Sequence, residues 1–176
     1  MIIYFLRHAS ADKKVSDPKK DERRPLDEEG ILQARYMGRM LANLDVQVDQ
    51  IISSRLKRAL QTASLVANEL AHESPIRTDD ALAPDATFDQ FRAMLSRLRK
   101  AEAIIVVGHN PNLTEFLSKT ISDSSGAAQI EFKKGAVAKV EMEGRIGTLH
   151  WLVVPRIARV LQTSLKASSR PKTLRK

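Results

Sequence analysis

The chain has 176 residues, of which 43% are hydrophobic and 28% are charged, a balance typical of a globular domain rather than a disordered chain. It contains no cysteine, which excludes a disulfide scaffold, a thiolate metal site and a cysteine nucleophile. No apolar run approaches the roughly 18 residues of a membrane span. The N terminus also lacks a basic leader segment, so we expect a cytoplasmic protein.

The net charge of +8 is concentrated at the C terminus. Residues 156–176 hold seven basic residues and no acidic one, so the rest of the chain carries 22 basic and 21 acidic side chains. We therefore predict a single domain at residues 1–155 and a basic extension at 156–176 that is partly disordered, from Ser168 onward. The nearly neutral domain argues against a nucleic-acid partner.

The first half of the chain alternates between strands and helices. The apolar run at 2–6 predicts a buried strand, and the polar segment 9–25 predicts a loop. Asp27 is the predicted N-cap of a helix whose apolar residues recur at helical spacing as far as Leu44. A short strand at 48–53 and a helix over 59–70 follow.

The second half continues this alternation and then changes. A loop through Pro75 and Pro84 leads to a helix capped by Thr87, and then to an apolar strand at 104–107. A helix is predicted directly after Pro111.

The last predicted elements form a hairpin. Two β-type segments, 135–142 and 147–154, flank a turn that contains Gly144. The whole order of elements predicts an α/β fold of three α/β/α layers, with a mostly parallel central sheet and a C-terminal antiparallel hairpin.

Arginine and histidine side chains follow three of the predicted strands. Arg7 and His8 follow the first strand, Arg55 and Arg58 follow the second, and His109 follows the strand at 104–107. In open α/β sheets, ligands bind beyond the carboxyl ends of the strands. These side chains therefore converge if the three strands are neighbours.

This combination of side chains favours phosphate chemistry. Guanidinium groups match phosphate oxygens, although a carboxylate would also fit such a pocket. A neutral imidazole is nucleophilic near pH 7 and can accept a phosphoryl group. Arginines and a second, protonated histidine would then neutralise the oxygens of the transferred group. The residues alone leave phosphoryl transfer and simple anion binding open.

Four motifs, in order, resemble the histidine phosphatase superfamily, the phosphoglycerate-mutase-like proteins. Arg7-His8-Ala9 resembles the Arg-His-Gly signature, and SRLKRALQT at 54–62 resembles the second motif, Ser-Pro-Leu-x-Arg-Ala-x-Gln-Thr. RPL at 24–26, followed by Gly30 and Gln33, matches the pattern between them, and Gly108-His109 resembles the distal histidine. The short chain is most similar to the small phosphohistidine phosphatases of the SixA type.

The resemblance implies a role for each matched residue. His8 would be the nucleophile that forms a covalent phosphohistidine, and Arg7 and Arg58 would hold the phosphoryl oxygens. His109 would give a hydrogen bond or a positive charge to the same group. Members of this kind use no metal, so we expect no metal and no cofactor. The further candidates for substrate binding are Arg24, Arg55 and Asn110.

The general acid of the family has no obvious counterpart. Mutase-like members carry a Glu where this chain has Pro84, and other branches carry an Asp where it has Asn110. Asp80 and Asp85 lie in the same loop as Pro84 and are the remaining candidates for an acid. An alkoxide leaving group needs such an acid, whereas a protonated imidazole leaves as a neutral ring. The missing Glu therefore favours phosphohistidine as the substrate.

The sequence thus predicts a metal-independent phosphatase that acts on phosphohistidine in proteins, an activity that belongs to signal transduction. Two alternatives stay open with the same chemistry: a small phosphorylated metabolite, or another phosphorylated residue of a protein. A third alternative is an inactive module that only binds phosphate.

Overall fold

The computed structural model describes residues 1–122 and 128–168, with side chains as far as residue 163. The strands are β1 (Ile2–Arg7), β2 (Gln50–Ser53), β3 (Arg77–Thr78), β4 (Ala103–Gly108), β5 (Val137–Met142) and β6 (Gly147–Val153). The helices are α1 (Pro18–Glu22), α2 (Glu28–Asn43), α3 (Lys57–Glu69), α4 (Phe88–Arg97), α5 (Asn112–Ile121) and α6 (Pro155–Ser168). Within the described ranges, no helix combines the length and the apolar character that crossing a membrane requires.

One six-stranded sheet, in the order β3-β2-β4-β1-β5-β6, forms the centre of the fold. Strands β3, β2, β4 and β1 run parallel, and the hairpin of β5 and β6 adds to β1 in antiparallel orientation. β1 and β4 are the middle strands and are apolar along their length, because helices cover both faces of the sheet. This confirms the predicted fold class and the predicted hairpin.

Each face of the sheet has its own apolar core. Alternate side chains of β1 point to opposite faces, so Ile3 and Phe5 pack against α4 and α5. Tyr4 and Leu6 face the other layer, which is formed by α2, α3 and α6. The helices thus hold β1 and β4 between two buried layers and leave the carboxyl ends of the strands for the site.

The predicted loop at 9–25 contains a short helix, so that part of the prediction is wrong. Helix α1 begins after Asp17, whose side chain accepts hydrogen bonds from the backbone N–H groups of Lys19 and Lys20. Pro18 occupies the first helical position, where its fixed φ suits the helix. Its missing N–H costs nothing there, because a backbone N–H at this position has no partner within the helix. A five-residue helix with no buried residue has no apolar periodicity that the sequence could display.

The predicted loop through Pro75 and Pro84 also contains regular structure. Arg77 and Thr78 pair with Ile52 and Ser53 as the edge strand β3, and a 3₁₀ turn covers Asp80–Leu82. Both residues of β3 are exposed, so the strand has no hydrophobic pattern from which it could be predicted. It forms because it pairs with β2.

The first part of the predicted basic extension is a helix, α6, which the sequence analysis did not predict. Ala158 is fully buried against α2, and the Gln162 side-chain amide donates a hydrogen bond to the Tyr36 carbonyl over 2.7 Å. The disorder that we expect beyond Ser168 concerns residues 169–176, which lie outside the described residues.

Candidate active site

The three strands that end in arginine or histidine are neighbours in the sheet. Arg7 at the end of β1 is in register with Gly108 at the end of β4. The His8 N–H donates to the Gly108 carbonyl over 3.0 Å, and the Ser54 N–H donates to the Val107 carbonyl over 2.9 Å. These backbone hydrogen bonds continue the ladder beyond the strands, so His8, His109 and the start of α3 meet at one edge, as predicted.

His8 is held in one tautomer. Its side chain is buried, and its Nδ1 lies 2.8 Å from the Ala9 carbonyl oxygen. Because a carbonyl oxygen only accepts, Nδ1 carries the proton and Nε2 keeps its lone pair. Burial lowers the pKa of His8 to about 3, helped by the positive charges of Arg58 and Arg7 and opposed by the Ala9 hydrogen bond. His8 is therefore a neutral base at pH 7.

His109 faces His8 across the site, with 5.0 Å between the ring centroids. Burial, together with His8 and the charge of Arg58, lowers the pKa of His109 to about 2. The ring is therefore neutral in the free protein, so of the two predicted contributions of His109, a hydrogen bond or a positive charge, this state supports the hydrogen bond. A neutral imidazole still has one N–H to donate. Neither ring nitrogen has a hydrogen-bond partner among the described residues.

One backbone carbonyl holds two of the predicted residues. The Phe132 carbonyl accepts from Arg7 Nη1 over 2.8 Å and from Asn110 Nδ2 over 3.0 Å. Phe132 lies in the segment before β5, which turns back over the end of β1. This contact leaves Arg7 Nε and Asn110 Oδ1 buried and without a partner in the described structure. The structure therefore brings Arg7 and Asn110 to the same site.

Asp21 in α1 binds two more of the predicted arginines, Arg58 and Arg24. Arg58 Nη1 donates to the Asp21 carbonyl over 2.9 Å and to its carboxylate over 3.2 Å. Arg24 Nε donates to the other carboxylate oxygen over 2.8 Å. Burial opposes ionisation of Asp21, yet the hydrogen bond from Arg24 and the charge of Arg58 keep its pKa below the ordinary value. Asp21 is thus an ionised carboxylate between two arginines.

Of the eight buried side-chain polar atoms without partners in the described structure, five belong to residues of this site. They include three hydrogen-bond donors: Arg7 Nε, Arg58 Nε and one ring nitrogen of His109. Buried donors are nearly always paired in folded proteins, and an unpaired one costs free energy. A group rich in acceptor oxygens would satisfy all three donors. The arrangement therefore fits an anion placed next to the free lone pair of His8.

The remaining predicted residues lie outside this buried cluster. Arg55 is exposed and its nearest ion pair is with Asp80, over 2.6 Å between Nη2 and Oδ1. Asp85 is exposed. In the described part of the chain, neither Asp80 nor Asp85 forms a hydrogen bond or an ion pair with His8 or His109. The structure therefore gives no contact that supports either carboxyl as the acid.

Two groups that orient the site, Asp21 and the Phe132 carbonyl, were not predicted from the sequence. Asp21 lies in a run of charged residues, KKDERR, that reads as an exposed loop. Its distance of three residues from Arg24 was the available signal. The Phe132 carbonyl gives no sequence signal, because every residue has one. Among the residues with described positions, no group of three or more His, Asp or Glu side chains is arranged to hold a metal ion.

The chain is similar in sequence to known proteins. A family model of the histidine phosphatase superfamily (branch 1) matches residues 3–84. An uncharacterized protein of Picosynechococcus sp. is 30% identical over 139 residues, or 78% of this chain and 82% of that protein. Phosphohistidine phosphatase SixA of Escherichia coli is 27% identical over 158 residues, or 88% of this chain and 94% of that protein.

A solved structure also shares the fold. The protein histidine phosphatase SixA, complexed with tungstate, superposes with a TM-score of 0.80 at 24% identity. The superposition covers 89% of this chain and 99% of that chain. The likeness supports the three-layer architecture described above.

Proposed function

Because the chain belongs to the histidine phosphatase superfamily, we propose that it removes phosphate from phosphohistidine in proteins through a covalent intermediate on His8. The observation that carries the proposal is the arrangement around His8. Its Nε2 has a free lone pair, its Nδ1 proton is held by the Ala9 carbonyl, and unpaired donors lie beside it. Such a site accepts a phosphoryl group and neutralises its oxygens.

The proposed reaction has two steps on the same nitrogen. First, the lone pair of His8 Nε2 bonds to phosphorus, and the bond from phosphorus to the substrate imidazole breaks. The electron pair stays on that imidazole, which takes a proton from solvent and leaves as a neutral ring. Water then bonds to phosphorus, the bond to Nε2 breaks, and inorganic phosphate leaves. The proton that water loses passes to solvent.

The hydrogen-bond donors of the site have separate roles in this reaction. Arg7 and Arg58 each use one nitrogen to bind the protein and keep Nε for the phosphoryl oxygens. His109 supplies an uncharged N–H to the same group. Guanidinium donors fixed before the substrate arrives need no rearrangement during the transfer, which is why they lower its barrier.

The lack of a placed acid supports phosphohistidine as the substrate class. Asp21 is the carboxylate whose charge reaches His109, but it is ionised and engaged with Arg58 and Arg24, so it has no proton to give. Departure of an imidazole does not need a carboxylic acid. The likeness to the SixA phosphohistidine phosphatase of Escherichia coli supports the same substrate class.

A substrate panel in the presence of EDTA tests the proposal. We expect a phosphohistidine peptide to be dephosphorylated, and phosphoserine peptides and small alkyl phosphates to react much more slowly. We also expect no gain from added Mg²⁺ or Zn²⁺. Preferential turnover of a small phosphate ester would favour the metabolite alternative. A strict metal requirement would contradict the mechanism.

Trapping of the intermediate tests the role of His8. In a quenched reaction, we expect acid-labile, base-stable phosphate on the wild-type protein, located at His8 by mass spectrometry. His8→Ala should carry no label and show no turnover. A label on another residue would overturn the assignment of the nucleophile.

A further inference from the structure

A basic groove lies on the protein surface beside the candidate active site. It has a volume of about 570 Å³ and lies between α1, the first turns of α2 and one face of α3. Its floor is apolar and consists of the half-buried side chains of Ile31, Leu60 and Leu65. The walls are cationic and carry the exposed side chains of Arg23, Arg35, Arg55 and Lys57.

The groove shares two elements with the active site. At the C-terminal end of α1, Arg23 follows Asp21, the residue that holds Arg58, by two positions. At the start of α3, Lys57 lines the groove and the next residue, Arg58, points into the site. Because these elements are shared, we expect a chain segment that continues from a phosphorylated residue at His8 to extend along the groove.

The charge of the groove is largely unbalanced. Glu22 is the one acidic residue among its lining residues, against four cations. Arg55 pairs with Asp80, but Arg23, Arg35 and Lys57 form no ion pair within the described part of the chain. Close cations of this kind attract carboxylates and steer an acidic partner toward the site.

We propose that the basic groove binds an acidic segment of the phosphorylated protein substrate, with apolar side chains of that segment on the Ile31, Leu60 and Leu65 floor. The proposal rests on the proposed function and names the substrate feature that the site selects. The apolar floor favours a polypeptide, since apolar side chains gain by leaving water there. A polynucleotide is disfavoured because no aromatic side chain lines the groove for base stacking.

Two phosphohistidine peptides of equal length provide the test. One carries Glu and Leu residues next to the phosphohistidine, and the other has every Glu replaced by Gln. We expect kcat/KM to favour the acidic peptide by about tenfold or more at low salt, with the difference mainly in KM. The preference should shrink severalfold at about 0.5 M salt, because exposed charges are then screened.

Charge reversal locates the effect. In Arg23→Glu/Arg35→Glu/Lys57→Glu, the ratio of kcat/KM for the two peptides should fall to about one or below. The matched control is Arg92→Glu/Arg99→Glu/Arg145→Glu, which makes the same change of charge at a separate cavity lined by α4 and the β5–β6 turn. The control variant should keep the wild-type preference. The ratio is an internal measure, so it does not depend on the amount of active protein.

Binding separates failure of this proposal from failure of the proposed function. The unphosphorylated acidic peptide, labelled for fluorescence anisotropy, should bind the wild-type protein more tightly than its Gln counterpart. Equal binding and equal turnover of the two peptides would overturn the groove proposal and leave the phosphatase function intact. Preferential binding without turnover of either peptide would overturn the proposed function and leave the specificity of the groove intact.

Discussion

The reactivity of His8 depends on neighbours that fix both its proton and its charge. The Ala9 carbonyl keeps the proton on Nδ1, and burial among cations keeps the ring neutral. An imidazole that is already deprotonated at Nε2 needs no general base before it attacks phosphorus. The activity of the free protein should therefore require no titration of His8 near neutral pH.

The absence of a placed acid predicts a strong dependence on the leaving group. Phosphohistidine and p-nitrophenyl phosphate should be cleaved about 10²–10⁴-fold faster than 3-phosphoglycerate or phosphoserine peptides, because alkoxides leave as strong bases. Steady-state kcat/KM values measure this difference. Asp80→Asn and Asp85→Asn should each leave phosphohistidine cleavage within about twofold of wild type.

The opposite result would identify the acid. If alkyl phosphates react as fast as phosphohistidine, and either Asp80→Asn or Asp85→Asn removes only the alkyl activity, that aspartate is the proton donor. The assignment of phosphohistidine as the substrate would then lose its main chemical support, and a small phosphorylated metabolite would be the better candidate.

Asp21 has two opposite effects on the site: it orients the guanidinium groups, and its negative charge opposes the binding of an anion. The first effect changes kcat and the second changes the affinity for phosphate, so the two can be measured separately. Asp21→Asn should lower kcat for p-nitrophenyl phosphate about tenfold or more, because Arg58 loses its charged anchor. The inhibition constant of inorganic phosphate should stay unchanged or decrease, since a nearby negative charge is removed. Steady-state kinetics with phosphate as a competitive inhibitor measures both constants.

Asp45→Asn is the matched control for this substitution. Asp45 is exposed after α2 and has a positive φ of 51°, a conformation that Asn tolerates well. The control variant should keep the wild-type kcat. An unchanged kcat in Asp21→Asn as well would show that Arg58 is positioned without the carboxylate.

The convergence of His8, Arg7, Arg58 and His109 at one edge of the sheet could be predicted, because the ends of strands can be inferred from apolar runs. Asp21 was not predicted, because a carboxylate in a run of charged residues gives no sign of which arginine it meets in the folded protein. The neutral state of His109 was also beyond the sequence, since it depends on burial and on the distance to His8 and Arg58.

At the scale of elements, the helices and strands with an apolar face were predicted except for α6, and α1 and β3, which have no apolar face, were missed. The helix from Thr87 has a capping box and a buried stripe that includes Phe91, so both its start and its inner face were readable. Helix α1 and strand β3 bury no side chain. Helix α1 depends on its N-cap Asp17, and β3 depends on its pairing with β2.

A close approach of α2 to the loop after β1 fixes the position of His8. A Cβ on Gly30, in the first turn of α2, would clash with the backbone carbonyl of Ser10. Ser10 is also held by Gln33 and Asp27, through its N–H and its hydroxyl. The start of α2 therefore supports the segment that follows the nucleophile.

Gly30→Ala should therefore lower both stability and activity. We expect a loss of about 1–3 kcal/mol in the free energy of unfolding, as for other overpacked sites, together with a fall in kcat at a temperature where the protein is folded. Denaturant unfolding and p-nitrophenyl phosphate hydrolysis measure the two effects.

Gly38→Ala separates these two effects. A Cβ there would meet Glu69 of α3 at 2.8 Å, at a contact between helices rather than at the Ser10 loop. This variant should lose stability but keep kcat per folded molecule. A similar fall of kcat in both variants would show that general loosening, and not the Ser10 contact, controls the activity.

At the scale of the whole molecule, the layered architecture was predicted in full, whereas the C-terminal part was not. Residues 156–176 were predicted to be a separate extension because of their positive charge alone. The charge gives no information about the apolar side of this segment. Ala158 and Gln162 attach α6 to α2, so the helix completes one layer of the fold. Charge composition indicates solvation, but it does not decide whether a segment also packs.

The buried neutral histidines make folding depend on pH. An unfolded histidine titrates near pH 6.5, whereas the folded protein lowers the pKa of His8 to about 3 and that of His109 to about 2. Between these values the unfolded chain binds protons that the folded protein does not. The free energy of unfolding therefore falls as the pH decreases below about 6.5.

Removing one of these histidines should make the stability less sensitive to acid. Between pH 7.5 and pH 5, His109 alone accounts for a loss of up to about 2 kcal/mol, because its folded form stays neutral over this range. His109→Gln should therefore lose less stability than the wild type over the same range, by up to that amount. His8→Gln should behave alike. Urea unfolding of the three proteins at both pH values measures the differences, and the carboxylates common to all three cancel in the comparison. Parallel losses in all three would mean that His8 and His109 take up protons in the folded protein over the same pH range as in the unfolded chain. The activity would then fall with the protonation of His8 as the pH decreases below about 6.5.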